Sequence, residues 1–167
     1  MVKISLGGMA IDNCYVLTKE PRRLSMKIED LMTTKVASLN PEDTVEDAAK
    51  LMKQYNIGAL PICADEKVVG IITDRDIALR SSAKGENVQK QSVRDIMTSN
   101  PVLGRPDMEA QEAARVMSAK QIRRLPVVEN GNLVGMVSLG DIALEPELKS
   151  KAQDALSNIS EPSTPDA

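Results

Sequence analysis

Apolar positions along the chain follow two rhythms, and the same succession of rhythms occurs twice. In the first occurrence Val45, Ala48, Ala49 and Met52 keep the three- and four-residue spacing of one helical face. Thr44 stands just before them and Asp47 three residues later, the pattern of a capping box at a helix start. Two apolar runs, 57–63 and 68–72, then flank a polar turn at 64–67 and read as paired strands. Ahead of the helix, residues 35–39 form a brief β-prone run closed by the turn Asn40-Pro41. Behind the strands a last helix starts near Thr73. The second occurrence carries Ala110, Ala113, Ala114 and Met117 on its helix, then runs 122–128 and 133–137. Between those runs lies Glu129-Asn130-Gly131-Asn132, whose Asn-Gly pair favours a tight hairpin. Its last helix starts near Ser138. Each unit is therefore strand, helix, strand, strand, helix.

The two units also match residue by residue. Met32-Thr33 recurs as Met97-Thr98, Pro41 as Pro106, Leu60-Pro61 as Leu125-Pro126, and Gly70 as Gly135. Asp76-Ile77-Ala78-Leu79 recurs as Asp141-Ile142-Ala143-Leu144, at the same offset (97 − 32 and 141 − 76 both give 65). About 15 of roughly 50 aligned pairs are identical without a gap, which makes the chain an internal repeat. Two copies are too few for a solenoid, so they are expected to pack about a pseudo-twofold axis and to form two related clefts. The division that follows is residues 1–25 as an N-terminal extension, 26–85 and 86–145 as the repeats, and 146–167 as a C-terminal segment. Within the extension, which is an appendage or a non-native leader, 11–17 reads as a short strand. Residues 147–159 read as one more amphipathic helix, and 160–167, with two prolines and no core-forming residue, as disordered.

Composition narrows the chemistry. The chain of 167 residues is 42% hydrophobic and has neither Trp nor Phe, so its core must come from Ile, Val, Leu, Met and Ala. A net charge of −3 gives no footprint for nucleic acid. No apolar stretch reaches the length of a membrane span and no secretion signal is present, so a cytoplasmic protein is expected. Its two cysteines, Cys14 and Cys63, are then expected to be reduced. The absence of His removes the commonest general base, the usual triads and most zinc sites. No metal site and no catalytic residues are expected.

Two constellations remain. Thr73-Asp74-Arg75-Asp76 follows Gly70 at a strand end, and Ser138-Leu139-Gly140-Asp141 follows Gly135. A hydroxyl with a carboxylate three residues on is a helix cap. The same geometry also lets an ionised Asp accept from both hydroxyls of a ribose while backbone N–H groups face a phosphate. The second constellation is Arg123-Arg124 inside an apolar strand. Neighbouring strand side chains point to opposite faces, so at least one arginine is directed at packed protein or a cleft. A guanidinium there suits a phosphate, while an exposed edge or pairing with carboxylates is the structural alternative. Repeat one has Gly58 and Ala59 at these positions, and Arg75 aligns with Gly140, so the two clefts should differ.

With these words in order, the span from Met26 to about Glu145 resembles a tandem pair of CBS domains, the regulatory module named after cystathionine β-synthase. Asp-x-Met-Thr opens each repeat, and Ile-Arg-Arg-Leu-Pro-Val-Val, Gly-Ile-Ile-Thr-Asp-Arg-Asp and Val-Gly-Met-Val-Ser-Leu-Gly-Asp follow. The resemblance implies an α+β fold of two βαββα repeats about a pseudo-twofold axis (a Bateman-type module), commonly dimerised into a disc. It implies clefts for AMP, ADP, ATP or S-adenosylmethionine as regulatory ligand, with no cofactor. Thr73, Asp76, Ser138 and Asp141 would hold ribose, and Arg75, Arg123 and Arg124 would hold phosphate. One cleft would join Thr73 and Asp76 with Pro101, Val102, Arg124 and Pro126. The other would join Ser138 and Asp141 with Val36, Ala37, Ile57, Gly58, Ala59 and Pro61. Phosphorylated ligands should then prefer the Asp76 cleft, where Arg124 is placed. The expected function is an energy-sensing homodimer that signals to an effector protein. The alternative is a ligand-free dimerisation scaffold.

Overall fold

The structure, a computed structural model, describes residues 26–161. The strand expected at 11–17 and the tail beyond 161 lie outside the described residues. The first repeat contributes helix α1 (Val45–Tyr55), strands β1 (Ala59–Ala64) and β2 (Lys67–Thr73), and the short helix α2 (Asp74–Asp76). Helix α2 widens at once into a π-helical turn, Ile77–Ser81. The second contributes β3 (Thr98–Ser99), α3 (Ala110–Ala119), β4 (Arg124–Glu129), β5 (Asn132–Ser138) and α4 (Leu139–Leu144). Helix α5 (Lys149–Ser160) follows. Mixed helix and antiparallel sheet make this an α+β fold, with strand order β1-β2-β5-β4 and β3 paired on β2.

The 65-residue offset is built into the backbone. Strand β2 meets β5 at Lys67 and Asn132, which are equivalent positions. Thr33 bridges Met136 just as Thr98 pairs with Ile71. Lys27 bridges Glu109 as Ser92 bridges Thr44, and Leu39 bridges Ile62 as Gly104 bridges Val127. Every one of these pairs maps onto its fellow when the repeats are exchanged, which defines a pseudo-twofold relation. The helix starts follow the sequence: Asp47 N–H donates to Thr44 Oγ1 at 3.1 Å, and Thr44 N–H donates to Asp47 Oδ2 at 3.3 Å.

The opening segment of each repeat belongs to the core of the other. Ile28 is fully buried among Met108, Met117, Leu125, Val127, Val137 and Ile142 of the second repeat. Val93 and Ile96 lie among Leu39, Val45, Met52, Leu60, Ile62 and Ile72 of the first. Each fully buried aliphatic side chain of this kind stabilises by roughly 1.5–3 kcal/mol. Exchange is tight where Met97 lies over Gly70 and Met32 over Gly135, because a Cβ at either glycine would collide with the methionine sulfur.

Three expectations change. Residues 35–39 are not a strand; only Leu39 pairs, through one parallel bridge to Ile62. The chain there crosses from a partner in the second repeat, Met136 at Thr33, to one in the first, and between them it borders a cleft instead of a strand. The second helix of repeat one is α-helical only through Asp76 before the π turn. The paired alanines also part company. Ala113 and Ala114 are both buried, with Ala152 and Ala155 of α5 in the same core cluster, whereas Ala48 is buried and Ala49 is exposed.

Candidate functional site

Each hydroxyl–carboxylate pair is a complete capping box at the exit of a strand. Asp76 Oδ2 accepts from Thr73 N–H at 2.9 Å and from Thr73 Oγ1 at 2.7 Å, and Asp76 N–H returns a bond to Thr73 Oγ1 at 3.2 Å. In repeat two Asp141 Oδ2 accepts from Ser138 N–H at 2.8 Å and Ser138 Oγ at 2.7 Å, with the return bond at 3.2 Å. The structural role read from the sequence is therefore real at both. In each pair it occupies only one carboxylate oxygen. The two remaining oxygens differ: Asp76 Oδ1 lies 3.5 Å from Arg80 Nε, whereas Asp141 Oδ1 has no partner among the described residues.

An open cleft of about 870 Å³ lies against Ser138 and Asp141. Its construction follows from the strand exchange. Reciprocal bonds between Thr33 and Met136, both 2.9 Å, lay residues 33–37 beside the end of β5. Helix α1 ends at Asn56 in the left-handed region (φ 53°), a conformation Asn tolerates, and the turn puts Tyr55, Asn56 and Ile57 on the opposite wall. Arg124 pairs with Ser138 across β4 and β5 and completes the lining with Val36, Ala37, Ala59, Lys35, Thr33 and Thr34. The volume suits a small-molecule ligand, and the walls combine apolar side chains with a few polar groups. Ile57 is 38% exposed and Tyr55 55%, apolar surface left open within the cleft.

The cleft brings together Ser138, Asp141, Val36, Ala37, Ile57 and Ala59 as expected. Arg124, expected beside Asp76, lines this cleft. The reason is pairing: Arg124 faces Ser138 in the β4–β5 register, and its guanidinium extends towards Gly58. Pro61 and Gly58 are not in the lining. Pro61 is buried within β1 opposite Ile71, and Gly58 backs onto Asp74 and Arg124. Thr73 stands across from Ala59. Pro101 and Val102 are half-buried, Val102 against the second core, and Pro126 is buried opposite Met136. Arg75 and Arg123 are exposed and, among the described residues, form no ion pair.

Lys35, Tyr55, Asn56, Thr33 and Thr34 were not read as site residues. Lys35 opens the β-prone run 35–39. Tyr55 carried a signal, being the sole aromatic side chain after Tyr15 in a chain without Phe or Trp. Chemically, the cleft offers an unengaged carboxylate oxygen and two cations, Lys35 and Arg124, without ion-pair partners among the described residues. Among those residues no cluster of His, Cys, Asp or Glu could hold a metal, and no helix is long and apolar enough to cross a membrane.

Comparison with known proteins gives a consistent result. The CBS domain family model matches twice, at residues 28–82 and 93–146. The CBS domain-containing protein YhcV of Bacillus subtilis is 45% identical over 133 residues, covering 80% of this chain and 94% of that protein. Hypoxic response protein 1 of Mycobacterium tuberculosis is 34% identical over 115 residues, 68% of this chain and 80% of its own length. The inosine-5'-monophosphate dehydrogenase of Korarchaeum cryptofilum is 35% identical, but the match spans only 28% of that enzyme. Among solved structures, a CBS domain pair in complex with 5'-methylthioadenosine and S-adenosyl-L-methionine superposes with a TM-score of 0.65 and 30% identity. That alignment covers 71% of this chain and 94% of the other. A hexameric CBS-CP12 protein of bloom-forming cyanobacteria superposes with a TM-score of 0.70 and 28% identity, over 77% of this chain and 76% of the other.

Proposed function

Since the chain belongs to the CBS domain family, in which a related pair holds adenosine derivatives, we propose that it is a regulatory module for an adenosine-containing ligand. The ligand is of the AMP, ADP or ATP class, with S-adenosylmethionine as the alternative, and it enters the Ser138–Asp141 cleft. The observation that carries this reading is Asp141. Its Oδ2 is fixed by the cap while Oδ1 is unpartnered among the described residues at the edge of an 870 Å³ cleft. There Oδ1 accepts a ribose hydroxyl, and the base lies against Val36, Ala37 and Ile57. Arg124 and Lys35 meet the phosphates, where charge-assisted hydrogen bonds are strongest. The module acts without catalysis, as a sensor that passes occupancy to an effector protein. Calorimetric titration with AMP and ATP tests this: binding lost in Asp141→Ala supports it, and binding unchanged in that variant rejects it.

A scaffold reading is favoured by a different observation. Leu79 and Leu144, equivalent under the repeat offset, are 53% and 81% exposed at the ends of the second helices. Such symmetric apolar exposure fits a homodimer face. Sedimentation of Leu79→Glu/Leu144→Glu distinguishes the readings. Loss of a dimer with ligand binding retained places assembly and sensing on separate surfaces. A ligand-free dimer in wild type leaves the scaffold alone.

A further inference from the structure

The repeats are equivalent through most of their backbone contacts, so a difference at the two carboxylates is informative. Asp76 and Asp141 spend Oδ2 identically on the strand-end hydroxyl and N–H. Their other oxygens have different surroundings. Arg80, one turn beyond Asp76, brings Nε to 3.5 Å from Asp76 Oδ1. Its Nη1 donates to the Ile96 carbonyl at 2.8 Å, which holds the guanidinium against the exchanged segment of the second repeat. The Asp76 side chain is left only 13% exposed. Arg80 lies in the π-helical turn Ile77–Ser81, a widened turn with no counterpart in α4, and such turns often mark functional positions. The residue equivalent to Arg80 is Glu145, a carboxylate followed by Pro146, which cannot pair with Asp141.

From this geometry we propose that Arg80 occupies the first ribose position from within the chain, so that the protein has one open adenosine site, at Asp141. Arg80 is thus the residue that makes the two clefts unequal. A ribose hydroxyl arriving at Asp76 must compete with a guanidinium that its bond to the Ile96 carbonyl holds in place, while one arriving at Asp141 meets no charged partner among the described residues. This rests on the ribose role proposed for Asp141, and it adds the stoichiometry and the residue that sets it.

The test is titration calorimetry of the whole chain with AMP and ATP. Wild type should take up one equivalent, and Asp141→Ala none. Arg80→Ala should take up two, and Arg80→Ala/Asp141→Ala one. Arg80→Met, which keeps the aliphatic stem, repeats the measurement with less change in packing. Should neither arginine variant fold, Asp76→Ala decides: one retained equivalent supports the proposal and a lost one rejects it. Two equivalents in wild type, or one in both folded Arg80 variants, overturns the role of Arg80 while leaving the ligand reading intact. No binding to any protein in the set overturns both.

Discussion

Lys67 faces Asn132 across the centre of the sheet, and the two are the same position of the two repeats. A residue paired with its own equivalent lies beside the pseudo-twofold axis. The exchanged bridges then occur twice, as the Thr33–Met136 and Thr98–Ile71 pairings do. Departures from that doubling include Arg80 against Glu145, Arg124 against Ala59, and α5 over α3. These departures are where the consequences below arise.

Glycines at the exchange points are required by close approach of the methionines. A Cβ at Gly135 meets Met32 and also the Thr33 carbonyl at 3.2 Å, whereas the three nearest atoms to one at Gly70 all belong to the Met97 side chain. A flexible side chain yields more easily than backbone. Gly135→Ala should therefore destabilise more than Gly70→Ala, by about 1–3 kcal/mol as overpacking usually does. Urea unfolding of the two variants measures the order.

Helix α5 makes the same pair of alanines different in the two repeats. Ala114 is 1% exposed in the cluster that includes α5, and Ala49 is exposed. Ala114→Leu should cost about 1–3 kcal/mol, and Ala49→Leu should change stability by less than about 0.5 kcal/mol. Thermal melts of the two proteins check this.

Arg124 and Lys35 should select for phosphate more than for nucleoside. Replacing either with Ala removes a charge-assisted bond worth about 1.5–3 kcal/mol, a loss of roughly tenfold or more in ATP affinity. Adenosine affinity should hardly change. Calorimetry with ATP and adenosine, at low and high salt, reads the difference.

The cap of α1 gives a pH signature. Hydrogen bonds from the Thr44 hydroxyl and then the Thr44 N–H hold the Asp47 carboxyl below its ordinary value. A depressed carboxylate contributes stability in full above the ordinary Asp range and loses it as pH falls through the lowered value. Wild type should therefore melt above Asp47→Asn at neutral pH, and the gap should close in acid. A gap independent of pH contradicts the role of the ionised cap.

Much of this architecture is legible in the chain because local rules and the repeat agree. Periodicity marks α1 and α3, Asn130-Gly131 marks the β4–β5 hairpin, and Thr44, Thr73 and Ser138 mark helix starts that the caps realise. What the sequence does not carry is anything set by long-range pairing. Residues 35–39 have strand propensity but change sheet partner midway, so they border a cleft. Arg124 lines the Asp141 cleft through the β4–β5 register that sets it opposite Ser138, which its own strand does not reveal. Lys35 comes to line the cleft through that exchange, Tyr55 through the turn that ends α1, and Arg80 meets Asp76 through a π turn without a sequence signature.

The most direct test is a thermal-shift panel of AMP, ADP, ATP and S-adenosylmethionine on wild type and Asp141→Ala. A ligand that binds only the folded chain raises its melting temperature by mass action. The ligand-binding account predicts a rise for at least one of these compounds, abolished in Asp141→Ala and retained in Asp76→Ala. A rise that survives in Asp141→Ala, or none from any of the four, contradicts it.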